Sequence, residues 1–225
     1  MSGLVAIKEC LAEGLTVQCF EKSDTIGGQW AYNRDPNSGD VHSSIYQGCI
    51  LNSCRDTSSF TDFPLDPARY PDYFGHKLQL RYLNEYADHF ALKKHIRLRA
   101  EVLQCEPGQG SGWLVKLRKE GGEIEEIQFD ALIAATGILS TPRTPVFSGR
   151  DDYKGELLHS HYYRTPGRFE DKKVVIIGLG SSAVDIACEV GPHAKELHLV
   201  TRRGGWVLPR YILGRPCEAW DGESA

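Results

Sequence analysis

The chain has no apolar run near the ~20 residues that a membrane-spanning helix needs. Its start, MSGLVAIKEC, lacks the basic segment and apolar core of a secretory signal. It has no excess of positive charge: the formal net charge is −4, which gives no support for binding nucleic acid or an anionic membrane. It has no C-x-x-C pair. Its seven cysteines are scattered and odd in number, which points to a reducing compartment rather than a disulfide framework. Beyond two related nucleotide-type units, no internal repeat is present. What remains is a globular composition over 225 residues, enough for one or two domains of roughly 100–200 residues each.

The most informative stretch is Lys172 to Asp185, KKVVIIGLGSSAVD. A β-branched run, Val174 to Ile177, meets a glycine turn, and a helical pattern continues to Val190. This is the βα half of a dinucleotide-binding unit. Gly178 permits the turn, Gly180 leaves room for a pyrophosphate, and Ala183 lets helix pack on strand. Backbone N–H groups at the helix start, where the dipole favours negative charge, then face the phosphates. A second strand is expected over Glu196 to Val200, followed by Thr201-Arg202-Arg203-Gly204-Gly205. Where an acid would bind a ribose, two arginines stand instead, and guanidinium forks suit a 2′-phosphate. The unit is read as NADP-binding; the alternative is a basic surface turn.

The N-terminus repeats the theme in reduced form. Leu4, Ile7 and Leu11 recur at helical spacing, Gly14 ends the helix, and Leu15 to Phe20 reads as a strand. Glu21 lies eighteen positions beyond Gly3, close to where an acid accepts ribose hydroxyls if Gly3 is the third fingerprint glycine. An ordinary αβ pair with a surface glutamate is the alternative. Gly27-Gly28-Gln29-Trp30 marks a close backbone approach or a turn. From Asn33 to about His76 the chain is polar, yet Phe60, Phe63, Tyr70, Tyr73 and Phe74 argue for an ordered segment packed on a site.

Leu78, Tyr82, Tyr86 and Phe90 form the core stripe of a helix over Lys77 to Phe90. Strands are expected at Ile96–Leu98, Glu101–Cys105, Trp113–Lys119 and Ile124–Phe129, as a small antiparallel meander. Ala131 to Ala135 reads as a fully apolar strand. Pro142 and Pro145 then end regular structure. After Trp206 the pattern fades. The expected fold is α/β, with two Rossmann-like dinucleotide-binding domains, both incomplete, and a small antiparallel insertion. The boundary is placed at 145/146.

Several segments, in order, resemble the flavin-containing monooxygenases. SGLVAIKECLAEGLTVQCFEKSDTIGGQW is similar to their FAD-binding start, and LNSCRDTSSFTDFP to their flavin-proximal segment. AATGILSTPRTP matches their A-T-G-x-x-x-x-P-x-x-P. Tyr153 to Tyr163 resembles the fingerprint F-x-G-x-x-x-H-x-x-x-[FY], with Tyr153 in place of Phe. The chain begins inside the first glycine motif, keeping Gly3, and stops before the family's C-terminal portion. It is therefore expected to be a fragment with uncovered apolar faces.

The resemblance implies FAD and NADP as cofactors. Glu21 and Gly3 would serve FAD, and Gly28, Gln29 and Trp30 would line the flavin. Leu51, Asn52 and Ser53 would lie where flavin and nicotinamide meet. Gly178, Gly180, Ser182, Ala183, Val184 and Asp185 would meet the NADP pyrophosphate, with Arg202 and Arg203 on the 2′-phosphate. In the family NADPH reduces FAD, O₂ adds as a C4a-hydroperoxide, and an amine nitrogen or sulfide sulfur takes the distal oxygen. Asn52 would hydrogen-bond there without a titrating proton. The implied partners are a small nucleophilic substrate and O₂, and the implied place is the cytoplasm or the cytoplasmic face of the endoplasmic reticulum. Membrane contact is not visible in the chain.

Four rivals stand beside this reading. A Baeyer–Villiger enzyme would end the fingerprint in Trp, where Tyr163 stands. Cys49 and Cys54 form a C-x-x-x-x-C spacing like a reductase dithiol, but in a polar loop. His159 and His161 have no carboxylate or cysteine at ligand spacing, so no metal is expected. A non-catalytic NADP-binding remnant is the alternative outside enzymes.

Overall fold

The computed structural model describes residues 1–35, 42–108 and 110–220. Residues 36–41 of the expected polar stretch and 221–225 at the end lie outside them. In chain order the elements are α1 (Ser2–Ala12), β1 (Cys19–Phe20), α2 (Arg55–Ser58), α3 (His76–His89) and β2 (Ile96–Arg97). Then follow β3 (Glu101–Pro107), β4 (Trp113–Arg118), β5 (Ile124–Phe129), β6 (Lys173–Ile177), α4 (Ser181–Val190), β7 (Glu196–Val200), β8 (Tyr211–Ile212) and β9 (Arg215–Pro216). The chain forms two compact units: Met1–Ala31 with Leu80–Ile138, and Tyr32–Gln79 with Leu139–Ala225. These are packing units. The cofactor-domain boundary at 145/146 is a separate proposal.

In the first unit α1 buries Leu4 and Ile7, and α3 buries Tyr82, Leu83, Tyr86 and Ala87; of the expected stripe Tyr82 and Tyr86 are buried, while Leu78 and Phe90 are half-buried. Each of the buried Leu and Ile side chains stabilises the unit by about 1.5–3 kcal/mol. β3, β4 and β5 form the expected antiparallel meander, with Val115 and Leu117 of the central strand buried. Ile96–Arg97 departs from expectation. It leaves the meander and pairs in parallel with β1, Cys19 opposite Ile96 and Phe20 opposite Arg97. The β1 strand is correspondingly short, because β2 offers only two residues to pair with.

The expected strand over Ala131 to Ala135 does not form. The segment has no regular structure, and Ile133 and Ile138 are 60% and 94% exposed. An apolar run becomes a strand only where a neighbour receives its backbone hydrogen bonds. Among the described residues no strand lies beside this one.

In the second unit β6 and β7 pair in parallel, Lys173 opposite Glu196 through Ile177 opposite Val200, joined by α4. Tyr46, Tyr163, Ile186 and Val190 form its core, with Val174, Ile176 and Leu197 packed against them. Alternation along β6 turns Val175 and Ile177 to the other face, where they are 58% and 61% exposed. The polar stretch is well packed: Ile45, Leu51, Leu65, Tyr70 and Phe74 are buried. Among the described residues no helix is long and apolar enough to cross a membrane.

Candidate functional site

The glycine turn of the second unit has the geometry that its residues predict. Gly178 sits at φ +126°, a conformation that residues with a Cβ rarely adopt. Gly180 caps α4 without a side-chain hydrogen bond. A Cβ built on it meets nothing within 4 Å, so open space lies above the turn. Ala183 and Val184 N–H groups donate to the Gly180 carbonyl. The N–H groups of Ser181 and Ser182, before them, have no acceptor among the described residues and suit an anion. Arg202 and Arg203 follow β7, both exposed, and among the described residues no carboxylate pairs with either. The open turn, unsatisfied donors and two free cations fit a phosphorylated dinucleotide.

Asp185 has another occupation. Its Oδ2 accepts the Tyr46 hydroxyl at 2.5 Å. One turn on, Glu189 accepts the Tyr163 hydroxyl at 2.6 Å. The two rings meet edge to face at 5.6 Å. Burial, and then the bond to Asp185, push the Tyr46 pKa far above the usual range; burial and Glu189 do the same for Tyr163. Both hydroxyls therefore stay protonated donors, and α4 is clamped to the 43–49 segment.

That segment leads to Leu51, Asn52 and Ser53, which share the second unit with the glycine turn. Leu51 is buried, and its N–H donates to the Phe74 carbonyl at 3.0 Å. The Ser53 hydroxyl pairs with that of Ser58 at 2.7 Å. Asn52 is exposed, and its Oδ1 accepts from Arg210 at 3.3 Å. Burial is the largest influence on the Cys49 thiol and raises its pKa, which works against a reactive thiolate. His159 caps a short 3₁₀ turn over Ser160–Tyr162, its Nδ1 accepting the His161 N–H at 3.1 Å.

The first unit gathers the remaining predicted residues. Gly3 lies in the first turn of α1. Glu21 follows β1, and its Oε1 accepts the Ser23 N–H at 2.8 Å and the Ser23 hydroxyl at 2.7 Å. Its Oε2 is an acceptor suited to a ribose hydroxyl. Gly28, Gln29 and Trp30 form a 3₁₀ turn, and the Trp30 indole N–H donates to Met1 Sδ at 3.4 Å.

Sequence reasoning passed over two arginines and a glutamate. Arg164 is 5% exposed and donates to four carbonyls, of Asn33, Ser43, His161 and Tyr163, at 2.6–2.8 Å. Arg210 reaches Asn52. Glu218 Oε2 accepts the Cys54 N–H at 2.8 Å and the Thr57 hydroxyl at 2.9 Å. Only the folded chain brings these together, since 164 positions separate Cys54 from Glu218.

The flavin-binding monooxygenase-like family model matches residues 1–219. Flavin-containing monooxygenase 1 of Homo sapiens is 40% identical over 98% of this chain and 42% of its own length. Flavin-containing monooxygenase 5 of Rattus norvegicus is 38% identical over 93% and 40%. The chain thus spans about two fifths of the length of the curated relatives it matches. Among solved structures, S-allyl-L-cysteine S-oxygenase from Allium sativum superposes with a TM-score of 0.83 at 33% identity, over 94% of this chain and 51% of that one. The structure titled as OTEMO with FAD and NADP superposes at 0.69 and 28% identity, over 92% and 38%.

Proposed function

The chain belongs to the flavin-binding monooxygenase-like family, and from that premise we propose that it carries cofactor-binding machinery of an NADPH- and O₂-dependent flavoprotein monooxygenase. The proposed substrates are soft nucleophiles, amine nitrogen and sulfide sulfur. The observation that carries the reading is the exposed Arg202–Arg203 pair after β7, in the same βαβ piece as the open turn at Gly178–Ala183.

Arg202 and Arg203 hold the 2′-phosphate of NADP, and the first N–H groups of α4 hold its pyrophosphate. Glu21 offers Oε2 to the FAD ribose, with Gly3 at the start of α1. Gly28, Gln29 and Trp30 line the flavin. FAD supplies oxygen activation and NADPH the reducing hydride. The oxygenation requires no substrate-specific base from the protein. Asn52 contributes a carboxamide that hydrogen-bonds without titrating, and Leu51 an apolar wall. Sulfur or nitrogen as the acceptor is supported by the S-oxygenase likeness and by Tyr163 in place of the Trp that closes the ketone-oxygenating fingerprint. The family likeness also supports an intracellular setting, in the cytoplasm or on the cytoplasmic face of the endoplasmic reticulum.

The test supplies the full chain, reconstituted with FAD, with NADPH, air and a thioether or tertiary amine, in parallel with a cyclic ketone. Sulfoxide or N-oxide formation coupled to NADPH consumption is the expected result. A lactone from the ketone would replace this reading with the Baeyer–Villiger one. A chain that binds NADPH but retains no flavin would be an NADP-binding module instead.

A further inference from the structure

We propose that Arg210 is a positioning residue for Asn52, fixing which end of the Asn52 carboxamide is left for a bound cofactor. The inference rests on the placement of Asn52 at the cofactor site given above. Arg210 Nη2 lies 3.3 Å from Asn52 Oδ1, across 158 positions of sequence. A guanidinium has donors only and does not lose its charge. The Asn52 atom facing it must therefore be the carbonyl oxygen, because an amide nitrogen there would set donor against donor. The contact commits Oδ1 and leaves the two Nδ2 hydrogens as the donors that Asn52 presents.

Arg210 is itself held. Its carbonyl accepts the Tyr73 hydroxyl at 2.8 Å and the Cys217 N–H at 2.9 Å. Its guanidinium lies over the Tyr73 ring, 5.4 Å from the centroid, a cation–π contact. Tyr211 packs edge to face on Tyr73 at 5.3 Å. Directly after it the chain turns through the β8–β9 hairpin, which returns Glu218 to the N–H of Cys54. Residues 52 to 54 are thus gripped at one end by a donor and at the other by an acceptor, both from the same late segment.

The test is a double-variant cycle read by NADP⁺ affinity in calorimetry, using wild type, N52A, R210A and the double variant. N52A and R210A are each expected to weaken binding about fivefold, the worth of one hydrogen bond. The double variant should bind no more weakly than N52A, and R210K, which keeps a donor, should stay within about twofold of wild type. Additive losses in the double variant would overturn the inference, since Arg210 would then act independently of Asn52. Unchanged affinity in R210A alongside a loss in N52A also overturns it while leaving the Asn52 reading intact. Unchanged affinity in N52A would instead remove that reading. A second readout needs no ligand. The side-chain ¹H–¹⁵N pair of Asn52, identified by its loss in N52A, should shift in R210A and hold its position in R210K. If R210A does not fold, R210M, which retains the stem over Tyr73, takes its place. An Asn52 pair that stays put without Arg210 contradicts the proposal.

Discussion

Tyr46 and Asp185 stand 139 positions apart, yet the Tyr46 hydroxyl donates to Asp185 Oδ2 at 2.5 Å. The bond ties the helix after the nucleotide turn to the segment that leads to Asn52. Tyr163 and Glu189 repeat it one turn along α4. With the hydroxyl of a buried tyrosine donated to it, Asp185 is a fixture of the scaffold. Tyr46→Phe should therefore destabilise the second unit by about 1–3 kcal/mol, the cost of an acceptor left without its donor. Urea unfolding measures it. Tyr46→Phe with Asp185→Asn should recover part of the loss, because the uncompensated charge is gone.

Arg164 predicts a larger effect. Its guanidinium is buried, has no carboxylate partner among the described residues, and is satisfied by four backbone carbonyls. Burial works against its charge and lowers its pKa. Arg164→Met would leave several buried carbonyls unpaired, each costing about 1–3 kcal/mol. The expected result is a loss of at least about 3 kcal/mol in urea unfolding, with Arg164→Lys recovering only a minor part, since one ammonium cannot reach all four acceptors.

His76 gives the chain a pH dependence. It is 3% exposed, its ring lies tilted against that of Tyr32 at 5.3 Å, and its Nε2 has no hydrogen-bond partner among the described residues. Burial is the main cause of a lowered pKa. The Gln47 backbone opposes that shift and the Lys77 charge adds to it. The folded chain thus holds a neutral imidazole, while the unfolded chain takes up a proton near the ordinary value of about 6.5. The stability contributed is full above that pH and falls as pH drops through it toward the lower native pKa. His76→Phe, which keeps a ring against Tyr32, should flatten the stability profile below about pH 6.5, measured by unfolding across pH.

Much of the fold was legible because its signals are local. The Leu4, Ile7, Leu11 spacing of α1, the Tyr82–Tyr86 stripe of α3, and the run-turn-helix pattern of β6 and α4 each fit within a dozen residues. What was not legible depends on partners far along the chain. Ala131 to Ala135 has the composition of a strand, but composition does not supply a neighbour to pair with. Ile96–Arg97 looked like part of the meander because strand pairing cannot be read from one strand. Arg210 and Glu218 lay beyond the point where periodicity fades. Their contacts to Asn52 and Cys54 span more than 150 positions. The place of the arginine pair directly after β7 was legible because a strand end is fixed by local spacing.

That pair bears the central claim. The decisive measurement is the affinity of the full chain for NADP⁺ against NAD⁺, by calorimetry, in wild type and in the Arg202→Ala, Arg203→Ala double variant. Charge-assisted bonds to a 2′-phosphate should make wild type prefer NADP⁺ by at least about tenfold. The double variant should lose that preference while still binding NAD⁺ as wild type does. Equal affinity of wild type for the two dinucleotides, or a preference unchanged by removing both arginines, would contradict the account.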